Sequence, residues 1–223
     1  AQSHGHRRKV EGRDTFEQGG AVIGIVDYGV GNLFSLKSSL KFLGVEHTVS
    51  ADKEELARCD RLILPGVGAF GDARGILKEG GMDVFLVEQA SSGKPLLGIC
   101  LGMQLLLEGS GEFGSHEGLG LISGRACPLK GEINPSLKVP HMGWNSLHFL
   151  QKSKLFRYSN EGDWVYFVHS FYGKGCGGDT LATADYSIPV TAAVGRKNVF
   201  GTQFHPEKSG KAGLKILRAF TEV

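Results

Sequence analysis

From Val22 to Ile99 the sequence alternates short strand-like pieces, most of them apolar runs, with turns and stretches of helical spacing. Val22-Ile23-Gly24-Ile25-Val26 is apolar throughout rather than alternating, which suits a strand buried on both faces of a parallel sheet. It enters the glycine turn Asp27-Tyr28-Gly29-Val30-Gly31-Asn32, after which Leu33, Leu36, Leu40 and Leu43 recur at helical spacing until Gly44. Val45 to Ser50 predicts a second strand, and Asp52 is a plausible cap for a short helix through Ala57. Arg61-Leu62-Ile63-Leu64 then runs into Pro65-Gly66-Val67-Gly68. Helical stretches follow near Asp72–Lys78 and Asp83–Ser91, and Pro95-Leu96-Leu97-Gly98-Ile99 reads as another buried strand. This order predicts parallel strands with right-handed helical crossovers, a doubly wound α/β sheet.

From about Leu119 the pattern changes. Short strand-like pieces (Leu147–Phe149, Val165–Val168, Leu181–Ala184, Val190–Val194, Val199–Phe204) succeed one another, separated by turn residues. They predict an antiparallel extension of the same sheet within a single domain spanning 21–223. Leu214, Leu217 and Phe220 close it with a helix. Ala1 to Gly20 carries His4, His6, Arg7, Arg8, Lys9 and a closing Gly19-Gly20 without apolar periodicity, and is expected to be a disordered tail, tag or linker. Glu11, Asp14 and Glu17 argue against a transit peptide, which avoids acids.

A formal net charge of +2 speaks against nucleic-acid binding, and no run of about eighteen apolar residues is present to span a membrane. Cys59, Cys100, Cys127 and Cys176 lack the CxxC spacing of a zinc site, so no metal is expected and a reduced, cytoplasmic setting is the default.

One cysteine stands in a special context. Gly98-Ile99-Cys100-Leu101-Gly102 lies directly after a buried strand and directly before the helical spacing of Leu101 and Leu105. This is the layout of a nucleophile elbow with sulfur in place of oxygen. Such a reversal forces the central residue into a strained conformation that exposes its side chain. The flanking glycines keep neighbours clear, and the helix that follows aims N–H groups at the sulfur. A buried structural cysteine is the ordinary alternative, and it is the expectation for Cys59, Cys127 and Cys176. A thiol nucleophile needs a base. His205 follows the apolar run Val199–Phe204, at a strand end where open α/β sheets gather their sites, and Glu207 comes two residues later, within reach of the far ring nitrogen. His47, His116 and His148 have no such context. His169 reads as a structural histidine, and Tyr166 could equally be a packed strand residue. The glycines at 29 and 31 lack the rest of a dinucleotide or P-loop fingerprint. Met142 and Trp144 could be core or interface anchors.

Gly98-Ile99-Cys100-Leu101-Gly102-Met103-Gln104 together with Phe204-His205-Pro206-Glu207 resembles the class I, triad-type glutamine amidotransferases, over essentially all of 22–223. The resemblance implies a flavodoxin-like sheet and no cofactor. It implies that Cys100 attacks the glutamine side-chain amide to form a thioester, with His205 as general acid and base and Glu207 orienting it. The backbone N–H groups of Val67 and Leu101 would form the oxyanion hole. Gly66, Gly68, Gln104, Ser170 and Phe171 would surround the substrate glutamine. Within the family, Asp27–Asn32, Pro65–Phe70, Val139–Asn145 and His205–Ser209 are similar to the glutaminase subunits of imidazole glycerol phosphate synthases. That closer likeness implies a (βα)₈-barrel cyclase partner, with Asn32, His141, Met142, Trp144, Tyr166 and Lys208 at the interface or ammonia gate. A glutaminase serving another synthase, a cysteine hydrolase on a related sheet, and a non-catalytic module with a degenerate site remain as alternatives.

Overall fold

The structure, a computed structural model, describes residues 21–223, so the expected tail at 1–20 lies outside the described residues. The first half is a run of strands and helices: β1 (Ile23–Val26), α1 (Leu33–Phe42), β2 (His47–Ser50), α2 (Lys53–Ala57), β3 (Arg61–Leu64), α3 (Phe70–Glu79), α4 (Met82–Ser91), β4 (Leu96–Ile99) and α5 (Leu101–Leu106). The second half is strand-rich: β5 (Gly109–Ser110), β6 (His116–Glu117), β7 (Arg125–Pro128), β8 (His141–Ser146), β9 (His148–Phe149), β10 (Trp164–His169), β11 (Phe171–Lys174), β12 (Thr180–Asp185), β13 (Pro189–Arg196), β14 (Val199–Thr202) and then α6 (Gly210–Thr221).

The main sheet runs β2-β1-β3-β4-β14-β13-β12-β9, with the first five strands parallel and the last three joined antiparallel. Strand alternation splits its side chains between two cores. Leu62 and Leu64 point to one face with Phe70, Leu77, Leu86 and Leu105 from α3, α4 and α5. Ile63, Leu97 and Ile99 point to the other, with Leu36 and Leu40 from α1 and Ile216, Leu217 and Phe220 from α6. Both faces are therefore helix-covered, which is why the inner strands β1 and β4 read as unbroken apolar runs, while the edge strand β2 does not.

Two details differ from the sequence expectation. The piece at Val199–Phe204 is not antiparallel to its neighbour on one side: β14 lies parallel to β4, with Val199 opposite Leu96 and Thr202 opposite Ile99, and antiparallel only to β13. The piece at Val165–Val168 does not join the main sheet. As β10 it pairs with β8 in a separate two-stranded sheet, while β11, β7, β5 and β6 form a third. An apolar strand carries no mark of its partner's direction, because parallel and antiparallel pairing bury the same side chains.

The consequence for function is positional. β4 and β14 end side by side, so Cys100, one residue past β4, and His205, three past β14, leave neighbouring strand ends of the sheet.

Candidate active site

The elbow has the expected strand–turn–helix form, but its cysteine is only 7% exposed, opening onto a cavity rather than standing out in solvent. Cys100 sits at φ 55°, ψ −109° between β4 and α5, a left-handed backbone that a non-glycine residue adopts only when its surroundings impose it. Its N–H donates to the Thr202 carbonyl at 2.7 Å, tying the elbow to β14. Packing explains the flanking glycines. A Cβ at Gly98 would lie 2.6 Å from the Gly102 carbonyl carbon, and one at Gly102 would collide with the Leu64 carbonyl oxygen. Strand and helix thus approach more closely than any side chain permits.

Around the sulfur, the Gln203 amide nitrogen lies 3.8 Å from Cys100 Sγ and the Val168 carbonyl oxygen 4.0 Å. His205 is buried, and its Nδ1 meets Glu207 Oε1 at 2.7 Å, with both side chains at most 3% exposed. Pro206 opens a single 3₁₀ turn, Pro206–Lys208, which folds Glu207 back beneath the ring. The His205 backbone is pinned as well: its N–H donates to the Tyr166 carbonyl at 3.0 Å, and its carbonyl accepts from Ser209 Oγ at 2.6 Å. Nε2 has no conventional hydrogen-bond partner and belongs to the same pocket as Cys100. Burial alone would lower the imidazole pKa, but the Cys100 thiol and the Glu207 carboxylate outweigh it and raise the pKa to about 9. The ring is therefore built to hold a proton beside the sulfur.

Cys100 and His205 open onto a cavity of about 340 Å³, within the range of small-ligand sites. Both residues expected at the oxyanion hole, Val67 and Leu101, line it, as do Gly68, Gln104, Ser170 and Phe171 of those expected around the substrate. Gly66 sits directly behind, where a Cβ would meet the Gly102 nitrogen and the Tyr28 hydroxyl. Gly68 has φ 97°, and Val67 is exposed, so the peptide expected to supply the second oxyanion donor stands on a solvent-facing turn. Gln104 donates from Nε2 to the Phe171 carbonyl and to Gln203 Oε1, both at 3.0 Å.

Residues that the sequence did not single out complete the site. Gln203 is fully buried and links Gln104 to the sulfur. Its place two residues before His205 on the strand exit was the available signal. Glu112 lines the cavity with one carboxylate oxygen taken by the Phe70 N–H at 2.7 Å. Its loop, 112–114, carries no motif that could have marked it.

The residues assigned to a partner surface separate along β8. Met142 and Trp144 are 61% and 52% exposed, and Trp144 packs edge-on against Tyr166 with centroids 5.9 Å apart. Trp164 adds a further exposed ring on the paired strand β10, one register step along. His141 does not share that surface. Alternation along the strand turns it inward, where it is buried between Phe167 and Tyr186. Lys208 lies at the cavity mouth. Asn32 caps α1, accepting from the Ser35 N–H at 3.5 Å, and is not among the residues lining the cavity.

A family model for the class-I glutamine amidotransferases matches residues 24–222. The chain belongs to the class-I glutamine amidotransferases. Curated relatives include the imidazole glycerol phosphate synthase subunit HisH of Bacillus velezensis, 53% identical over 206 residues, covering 91% of this chain and 96% of that protein. HisH of Geobacillus thermodenitrificans is 52% identical with the same coverage. Among solved structures, PurLQS from Thermotoga maritima superposes with a TM-score of 0.71 at 21% identity, covering 91% of this chain and 98% of that one. A glutamine amidotransferase crystal structure gives 0.70, also at 21% identity, with 90% and 97% covered. These two show the shared fold.

This class-I amidotransferase domain brings Cys100, His205 and Leu101, at the start of α5, to the wall of one cavity, with the Glu207 carboxylate on the far ring nitrogen of His205. None of the helices among the described residues is long and apolar enough to cross a membrane.

Proposed function

We propose that the chain is the glutaminase subunit of an imidazole glycerol phosphate synthase, hydrolysing glutamine and passing the ammonia to a (βα)₈-barrel cyclase in histidine biosynthesis. The observation that carries the chemistry is Cys100 and His205 on the wall of one cavity, with the buried Glu207 carboxylate 2.7 Å from the far nitrogen of the His205 ring. The choice of synthase is supported by relatives about half identical over nine-tenths of the chain that bear that subunit's name.

In the reaction, the Cys100 thiol proton passes to His205 Nε2 and the sulfur, now a thiolate, attacks the side-chain carbonyl carbon of glutamine. The developing oxyanion is received by the N–H groups of Leu101 and Val67. His205 gives its Nε2 proton to the departing nitrogen, ammonia leaves, and a γ-glutamyl thioester remains. His205, now neutral, takes a proton from a water that attacks the thioester, and glutamate departs with the sulfur restored. Glu207 holds the ring and offsets the imidazolium charge throughout. The Glu112 carboxylate at the cavity wall and Gln104 Oε1, whose amide hydrogens are already taken by Phe171 and Gln203, suit the substrate's α-ammonium group, and the backbone at Ser170–Phe171 suits its α-carboxylate. Ammonia would exit past Tyr166 and Lys208 to a cyclase docked on Met142 and Trp144, which joins it to a phosphoribulosyl-formimino aminoimidazole carboxamide ribonucleotide. The free cysteines suit a cytoplasmic enzyme.

Regulation belongs to the same geometry. If the Val67 N–H turns away from the cavity in the chain alone, one oxyanion donor is missing, a deficit of roughly 10²–10³ in rate. Partner binding is proposed to turn it in, so the chain alone should be nearly idle.

The test is Cys100→Ala in complex with the cyclase. Glutamine-dependent product formation should vanish while synthesis from added ammonium salts persists. Retained glutamine use would remove Cys100 from the chemistry.

A further inference from the structure

Leading away from the cavity wall is a row of polar groups that the triad does not use, with His169 and His141 buried and Asn145 half-buried. His169, the last residue of β10, places Nδ1 2.8 Å from the Phe171 carbonyl oxygen. A carbonyl only accepts, so that nitrogen carries the proton. Burial pushes the His169 pKa down to about 3, with the charges of His141 and His205 adding to the effect against the Phe171 bond. The ring is neutral and its Nε2 is an acceptor. His141 Nδ1, 3.0 Å away, must then be the donor. Burial lowers His141 as well, to about 4, leaving its own Nε2 to accept from the Asn145 amide at 3.3 Å. The same amide nitrogen donates to the Asp185 carbonyl at 2.7 Å, which fixes the way the Asn145 side chain points. Every donor and acceptor in the row is thereby determined, from Asn145 through His141 and His169 to the Phe171 carbonyl. The His141 ring is held flat between Phe167 and Tyr186, at centroid distances of 4.7 and 4.1 Å.

Both ends of the row have a place in the site. Phe171 O, the last acceptor, also receives Gln104 Nε2, so the row and Gln104 grip one carbonyl from two sides. Ser170 is the single residue between β10 and β11, where the chain leaves one sheet for another. Sheet pairing is interrupted there, and both Ser170 and Phe171 line the cavity. At the other end, His141 and Asn145 share a strand with Met142 and Trp144, whose side chains face outward.

We infer that His141 and Asn145 are positioning residues for glutamine binding, fixing the Ser170–Phe171 backbone of the pocket through His169. They touch no reacting atom; they act by holding the segment that receives the substrate's α-end before the substrate arrives. The inference rests on the glutaminase reading above, and it gives β8 a hydrogen-bonded connection from its outward face to the pocket wall.

The competing view is that the pair only fills space, in which case an aromatic ring of similar size serves as well. In the complex with the cyclase, His141→Phe keeps the stack and removes the donor. The Michaelis constant for glutamine should rise about tenfold, the scale of one lost buried hydrogen bond, with kcat within about twofold of wild type. His141→Asn, which puts an amide donor near the place of Nδ1, should recover most of that rise. An unchanged constant in His141→Phe overturns the inference, as does an equal defect in both variants. Synthesis from ammonium salts should be untouched in each. A wild-type complex that makes product from ammonium but not from glutamine would defeat the glutaminase reading and the inference with it. A measurement needing no variant covers the case of failed folding. Nitrogen-15 spectra of wild-type histidines near neutral pH should show both rings uncharged with the proton on Nδ1, and an Nε2–H form at either ring overturns the row.

Discussion

Replacing Glu207 by glutamine separates orientation from charge in the triad. The Glu207 carboxylate and the His205 ring are 2.7 Å apart and almost completely buried, so solvent screens little of their interaction. A glutamine amide oxygen can still accept the Nδ1 proton, so the ring should keep its place and the glutamine site its shape. What is lost is the negative charge opposite the imidazolium. A hydrogen bond to a charged partner in such a setting contributes roughly 1.5–3 kcal/mol, which at 1.36 kcal/mol per decade is a loss of about ten- to 150-fold. The loss should fall on kcat rather than on the Michaelis constant, because the carboxylate does not touch substrate. His205, held at about 9 by Cys100 and Glu207 against burial, should also lose its proton at lower pH. The assay is glutamate release by the complex across the pH range. Wild type should decline as pH rises through about 9, and Glu207→Gln should decline earlier and from a lower plateau. Wild-type kcat and an unmoved alkaline limb in the variant would remove Glu207 from the mechanism.

The same linkage predicts stability. His205 has a folded pKa above its unfolded value of about 6.5, so its contribution is complete below pH 6.5 and disappears as pH rises through 9; urea midpoints should fall over that window in wild type and less in Glu207→Gln. His141 and His169 act oppositely. Folded values of about 4 and 3 mean that the unfolded chain binds protons first, so stability should drop as pH falls from 6.5 towards 4, and His141→Phe should flatten that limb. Gly102→Ala would drive a Cβ into the Leu64 carbonyl, a backbone group that cannot swing aside, and should destabilise the fold by about 3 kcal/mol, read as a lowered Tm with loss of glutaminase activity. Met142→Ala with Trp144→Ala should weaken cyclase binding by about tenfold or more in calorimetry, the scale of exposed anchor side chains, while leaving the fold's Tm within a few degrees.

What was legible in the sequence was what is local. The elbow could be read because its strand, its glycines and the start of α5 are contiguous, and because the close approach demanding glycine at 98 and 102 is made by the elbow's own neighbours and β3. Glu207 could be paired with His205 because two residues of a turn suffice to bring a carboxylate back to the ring. The buried parallel strands announced themselves as unbroken apolar runs. Properties that depend on distant segments did not show. The direction of β14 is fixed by its insertion beside β4, roughly a hundred residues earlier, and the pairing of β8 with β10 is set by no residue type in either strand. Glu112 reaches the cavity from a loop whose position depends on β5 and α3. His141 sits in a segment that looks uniformly like an interface, and only the alternation of a paired strand reveals that it faces the opposite way from Met142 and Trp144.

The central claim is that the Cys100 sulfur carries the glutamyl group. Incubating the complex with a diazoketone analogue of glutamine and measuring intact mass and peptide fragments tests this without reliance on turnover. A single adduct on Cys100, absent in Cys100→Ala and suppressed by excess glutamine, is the expected result. Labelling at another cysteine, or none on a complex that consumes glutamine, would contradict it.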